Sequence, residues 1–124
     1  MIAGVGTDMV EIGRIRQAIE KNPRFLERVY TQQEIACCQR KANCWQSFAA
    51  RFAAKEAVSK ALGTGIGPVG LQEIEVINAA SGQPQVALHG KALELAQSRN
   101  IQRVHISLSH SEAYAIATAV LEGE

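Results

Sequence analysis

Residues 63–70 read GTGIGPVG, and four glycines with a proline in that stretch end any helix that reaches them. The segment immediately before, residues 44–62, is rich in helix formers and follows Asn43, a good amino-terminal cap, so it reads as the longest helix. The glycine-rich stop therefore divides the chain, with mostly helical pattern before it and mostly strand pattern after it.

On the amino-terminal side, residues 2–12 read as a strand whose even positions, Ile2, Gly4, Gly6, Asp8, Val10 and Ile12, share one face. Helical pattern follows over 13–21, and Asn22 with Pro23 suits the cap and first position of a short helix reaching Tyr30. Thr31 and Glu34 have the spacing of a capping box that opens a helix to about Arg40. Beyond the loop, residues 73–78 and 84–88 flank SGQP as a hairpin, 90–99 form a helix, and VHISLSH with AYAIATAV form a second hairpin. Without a regular strand-helix-strand rhythm, the fold class is α+β: a small domain of helices and mainly antiparallel sheet.

A length of 124 residues suits one domain spanning 1–124, and 47% hydrophobic with 20% charged residues excludes a disordered or fibrous chain. Only 5% of residues are aromatic and much of the apolar content is alanine, a thin core that points to further burial by self-association. No apolar run is long enough for a membrane span and no signal segment opens the chain, so a cytoplasmic protein without a membrane role is expected. Cys37, Cys38 and Cys44 fit reduced thiols rather than a disulfide framework or a zinc site. Residues 1–60 carry ten Lys/Arg against six Asp/Glu, while residues 61–124 carry three against six. That asymmetry favours an acidic partner for the first half, but it is too small for a nucleic-acid surface.

The long helix carries charge where apolar residues are expected. With Trp45 as origin and a turn of about 100° per residue, Phe48, Ala49, Phe52, Glu56 and Lys60 fall on one stripe, with Glu56 near its centre. Arg51 and Lys55 fall to one side, where solvent or a ligand is more accessible. An ordinary i,i+4 pair would account for Glu56 and Lys60, whereas a carboxylate within an apolar stripe needs a cation or metal beside it.

Asp8 poses the same problem on the strand, where a backbone-bonded turn residue is the alternative to a metal ligand. Two carboxylates alone suit magnesium, which binds oxygen and takes further ligands from water and phosphate. Gly63, Gly65, Ile66 and Gly67 make a loop whose amides a phosphate could approach, or a plain helix stop. His110 ends a strand, either as a satisfied core histidine or as a donor to a phosphate or hydroxyl.

Three segments together carry a specific resemblance: GVGTDMVEIGRI at 4–15, FAAKEAVSKALGTG at 52–65 and ISLSH at 106–110. Their order and spacing over nearly the whole chain resemble the small holo-acyl-carrier-protein synthases, the AcpS-type 4'-phosphopantetheinyl transferases. The resemblance implies magnesium-dependent transfer of phosphopantetheine from coenzyme A to a serine of apo-acyl carrier protein, releasing adenosine 3',5'-bisphosphate in support of fatty acid biosynthesis. It implies that Asp8 and Glu56 hold the metal and that Lys60 and Arg51 balance phosphate charge. The loop Gly63, Gly65, Ile66 and Gly67 would meet coenzyme A, and His110 would line the same pocket. Glu56 or a metal-bound water near Asp8 would take the serine proton. A homotrimer with sites between subunits is also implied. Arg14, Lys21, Arg24 and Arg28 then stand as the expected docking surface for an acidic carrier protein, the alternative being a merely solvated helix face.

Overall fold

The computed structural model describes residues 1–124. Strand β1 (Ile2–Glu11) leads into helices α1 (Ile12–Lys21), α2 (Pro23–Val29), α3 (Gln32–Gln39) and α4 (Cys44–Ala61). A short 3₁₀ turn, Leu71–Glu73, precedes the hairpin β2 (Ile74–Asn78) and β3 (Pro84–Leu88). Helix α5 (Gly90–Ser98) and strands β4 (Ile101–His110) and β5 (Tyr114–Gly123) complete the chain. β5 lies between β1 and β4 in an antiparallel sheet, while β2 and β3 pair separately, also antiparallel. The expected mixture of helices and antiparallel strands is therefore the observed one. The last hairpin runs further than its apolar pattern suggests, because pairing continues from His110–Ala115 to Ile101–Gly123 through one irregular step.

Local chemistry accounts for the boundaries. Asn22 accepts from the Arg24 amide ahead of Pro23, and Thr31 and Glu34 form both halves of the capping box. Asn43 accepts from the Gln46 amide at the start of α4. At the other end, Gly63, Gly65 and Gly67 adopt positive φ, and the amides of Thr64 and Gly65 both bond the Ser59 carbonyl.

α4 packs against β1 and β5 on one side and meets α1, α3 and β2 on others. The approach to β1 is set by Gly4 and Gly6: a methyl group at either would overlap the carbonyl oxygen of Ala61 or Ala57. Ala53, Ala57 and Ala61 on the helix and Ala117 and Ala119 on β5 continue this seam of small residues within the principal core.

This double-sided packing corrects the assignment of faces on α4. Arg51 and Lys55, expected at the accessible side, are buried, whereas Trp45, Phe52 and Glu56 are half-buried and Lys60 is exposed. A helix covered by a sheet on one side and by helices and a hairpin on another has no single apolar stripe for a wheel to find.

Lys55 shows how such a helix tolerates an interior cation. Its Nζ donates to Glu34 Oε1 at 2.7 Å and to the carbonyls of Ile74 and Leu71 at 2.8 and 3.0 Å. Both side chains are 0% exposed, and Glu34 Oε2 accepts from the Val76 amide at 2.9 Å. Burial lowers the Lys55 pKa, while the Glu34 carboxylate opposes that shift. The pair thus joins α3, α4 and the start of β2 at one point. Lys55→Met should cost about 3–5 kcal/mol of stability, because the buried Glu34 carboxylate loses its cation. Urea unfolding measures this, and a loss below about 1 kcal/mol would contradict the anchoring role.

Candidate active site

Asp8 and the second half of α4 meet because β1 turns Gly4, Gly6, Asp8 and Val10 inward and its glycines let the helix approach, while Ile2, expected on the same face, is exposed beyond an irregular step in the pairing. Lys60 Nζ donates to Asp8 Oδ1 at 3.0 Å and to the Thr7 carbonyl at 3.1 Å. The Asp8 side chain is 16% exposed and that of Lys60 is 50% exposed. Glu56 lies one helical turn before Lys60, close enough for the Asp8 charge to act on it. Burial and Asp8 hold the Glu56 carboxyl above its ordinary range, against an opposing effect from Lys60. The cation expected to meet Glu56 and Asp8 is thus, in part, Lys60.

Two carboxylates facing one half-exposed ammonium retain an excess of negative charge. Their oxygens are hard donors, and the repulsion registered at Glu56 is what a divalent cation would relieve. No third His, Cys, Asp or Glu completes a ligand cluster with them. The donor set therefore fits magnesium, which commonly combines few carboxylates with water and phosphate oxygens.

Arg51 and His110 lie elsewhere. They line a cleft of 710 Å³ with Gln46, Ser47, Lys41 and residues of β3 and β4, a lining that omits Asp8, Glu56 and Lys60. Arg51, 5% exposed, donates from Nη1 to Ser47 Oγ at 2.8 Å and from Nη2 to Cys37 Sγ at 3.3 Å. His110 is exposed, and its Nδ1 lies 2.9 Å from Gln46 Nε2. Within one chain, then, His110 does not stand with the carboxylates, and the expected site separates into two clusters along α4. From Gln46 to Glu56 the helix rises about 15 Å.

The loop after α4 is partly committed to its own turn. The Gly63 amide bonds Lys60, those of Thr64 and Gly65 bond Ser59, and that of Gly67 bonds Val69. Its glycines leave open space where side chains would stand, so the surface there is accessible backbone. Arg14 and Lys21 on α1 and Arg24 and Arg28 on α2 are all exposed. Gln46 and the Glu34–Lys55 pair are the polar residues that spacing did not reveal. Ser47 and Arg51 at i,i+4 were a usable signal for the cleft wall.

The model of the 4'-phosphopantetheinyl transferase superfamily matches residues 4–119. The holo-[acyl-carrier-protein] synthase of Koribacter versatilis is 50% identical over 124 residues, covering 98% of this chain and 99% of that protein. The crystal structure of the Neisseria meningitidis holo-[acyl-carrier-protein] synthase superposes with a TM-score of 0.89 at 35% identity, covering 98% and 99% of the two chains. That of the Helicobacter pylori holo-[acyl-carrier-protein] synthase in complex with coenzyme A gives 0.84 at 35% identity, covering 95% and 99%. The fold and sequence place this chain in the 4'-phosphopantetheinyl transferase superfamily, among its holo-acyl-carrier-protein synthases.

The electrostatics can be checked in the isolated protein. Asp8→Asn removes a charge that raises Glu56, so the midpoint of the Glu56 carboxyl should move to lower pH. Carboxyl ¹³C titration by NMR reads it directly. An unchanged midpoint would mean that the two acids do not sense each other.

Proposed function

We propose that residues 1–124 act as one catalytic unit that transfers 4'-phosphopantetheine from coenzyme A to a serine hydroxyl of apo-acyl carrier protein. The observation that carries this reading is the meeting of Asp8 with Lys60 and Glu56 across β1 and α4, in a chain of this family. The serine oxygen forms a bond to the β-phosphorus of the coenzyme A pyrophosphate. The bond from that phosphorus to the bridging oxygen breaks, and adenosine 3',5'-bisphosphate leaves. This is the step that makes carrier protein competent for fatty acid biosynthesis.

Asp8 and Glu56 would hold magnesium, which when bound supplies positive charge to the pyrophosphate. Lys60, free to turn from Asp8, neutralises charge on the phosphoryl oxygens and the departing bisphosphate. Glu56 or a water beside Asp8 would take the proton of the serine hydroxyl, the upward shift that burial and Asp8 impose on the Glu56 carboxyl belonging to the metal-free site. The cleft that holds His110 is lined by two cations, Arg51 and Lys41, and by no carboxylate, and so suits an anionic portion of coenzyme A.

A homotrimer reconciles the two clusters by placing one subunit's cleft beside its neighbour's carboxylates. The outer sheet face supports this: Val5 and Met9 are 62% and 60% exposed, with Ile116 and Tyr114 exposed beside them on β5. No helix is long and apolar enough to cross a membrane, and all three cysteines are free, which supports a cytoplasmic setting.

Incubation with coenzyme A, magnesium and apo-carrier protein should add the phosphopantetheine mass to the carrier. Asp8→Asn and Glu56→Gln should each slow that addition by roughly 100-fold or more. An inert wild-type protein, or full activity in Asp8→Asn, would overturn the assignment. Reversal of Arg14 and Arg24 to Glu should raise the KM for carrier protein roughly tenfold at low salt, with the effect shrinking as salt is added. An unchanged KM would remove α1 and α2 as the docking surface.

A further inference from the structure

His110 and Gln46 meet in the cleft that Lys41 and Arg51 also line, through a contact with a defined polarity. The Gln46 carboxamide nitrogen, 2.9 Å from Nδ1 of the imidazole, carries donors alone. It can bond a ring nitrogen that offers a lone pair. Neutral imidazole has one proton for two nitrogens, so an accepting Nδ1 places that proton on Nε2.

We infer that Gln46 is a positioning residue that fixes His110 as an Nε2–H donor toward an anionic ligand in the cleft. The inference rests on the reading of this cleft as part of the coenzyme A site and specifies how one of its residues is set.

Both partners are held from behind. Gln46 sits in the first turn of α4, its amide bonded to Asn43 Oδ1 at 3.2 Å. His110 is the last residue of β4 and pairs with Ala115 on β5. The contact therefore joins a capped helix end to a paired strand end, two pieces of backbone with little freedom to drift apart.

The surroundings agree with a donor role. Lys41 and Arg51 line the same cleft, and no carboxylate does. An imidazole presenting an Nε2 lone pair there would repel an anionic oxygen, whereas an Nε2–H reinforces the two cations. Gln46 sets that choice without adding a charge of its own.

Long-range ¹H–¹⁵N correlation spectra, recorded with the imidazole neutral, report which ring nitrogen carries the proton. In the wild-type protein the proton should be on Nε2, with Nδ1 showing an acceptor shift. Gln46→Glu replaces a donor by an acceptor, so Nδ1 should become protonated. Gln46→Met, which adds no charge, should abolish the acceptor shift.

Steady-state kinetics supply the second reading. The KM for coenzyme A should rise roughly tenfold in Gln46→Glu and a few-fold in Gln46→Met, with kcat at saturation nearly constant. A residue that merely stabilised the fold would leave the tautomer unaltered. A wild-type proton on Nδ1, or a Gln46→Glu protein that keeps Nδ1 unprotonated, overturns the inference. If the tautomer switches and neither KM moves, control by Gln46 stands and the assignment of this cleft to coenzyme A falls.

Discussion

The close contact of α4 with β1 is the constraint on which the rest of the molecule depends. Two glycines on the strand let helix carbonyls at Ala57 and Ala61 come where a methyl group would otherwise stand. Because Asp8 lies on the same inward face as Gly4 and Gly6, the contact that seats the helix also brings an acid to Glu56 and Lys60. Geometry of the backbone and chemistry of the site are thus set by the same pair of surfaces.

A second fixture holds the opposite flank of α4. The Lys55 ammonium is surrounded by Glu34 and two backbone carbonyls that precede or begin β2, so helix, hairpin and α3 share one buried charge. Its desolvation is costly, and complete pairing is what makes the arrangement tolerable. Arg99 contributes near the end of the helix, donating to the carbonyls of Leu62 and Ala3 at 2.7 and 2.9 Å. The helix is therefore tied along its length, and both polar clusters inherit that rigidity.

Much of this was readable from residue order. The alternation in β1 put Asp8 inward, Thr31 with Glu34 announced a helix start, and SGQP separated the hairpin strands correctly. The faces of α4 were not readable, because a helix enclosed on several sides loses the polar sector that periodicity analysis needs. Glu34 illustrates a related limit: its spacing explained a cap, yet its carboxylate also serves Lys55 and Val76, partners 21 and 42 residues away. The separation of His110 from Asp8 was equally invisible, since strand register and the position of α4 decide it together.

The alanine seam has a consequence beyond positioning. Ala53, Ala57, Ala117 and Ala119 are each 0% exposed, yet a buried methyl removes far less oily surface from water than leucine or phenylalanine would. A chain that spends its interior on slim side chains gains tight tolerances and forgoes cohesive energy. The quaternary contact proposed for the bare side of its sheet would offset that deficit, so that accuracy at the centre and exposed apolar area at the edge would both follow from one choice of residue size.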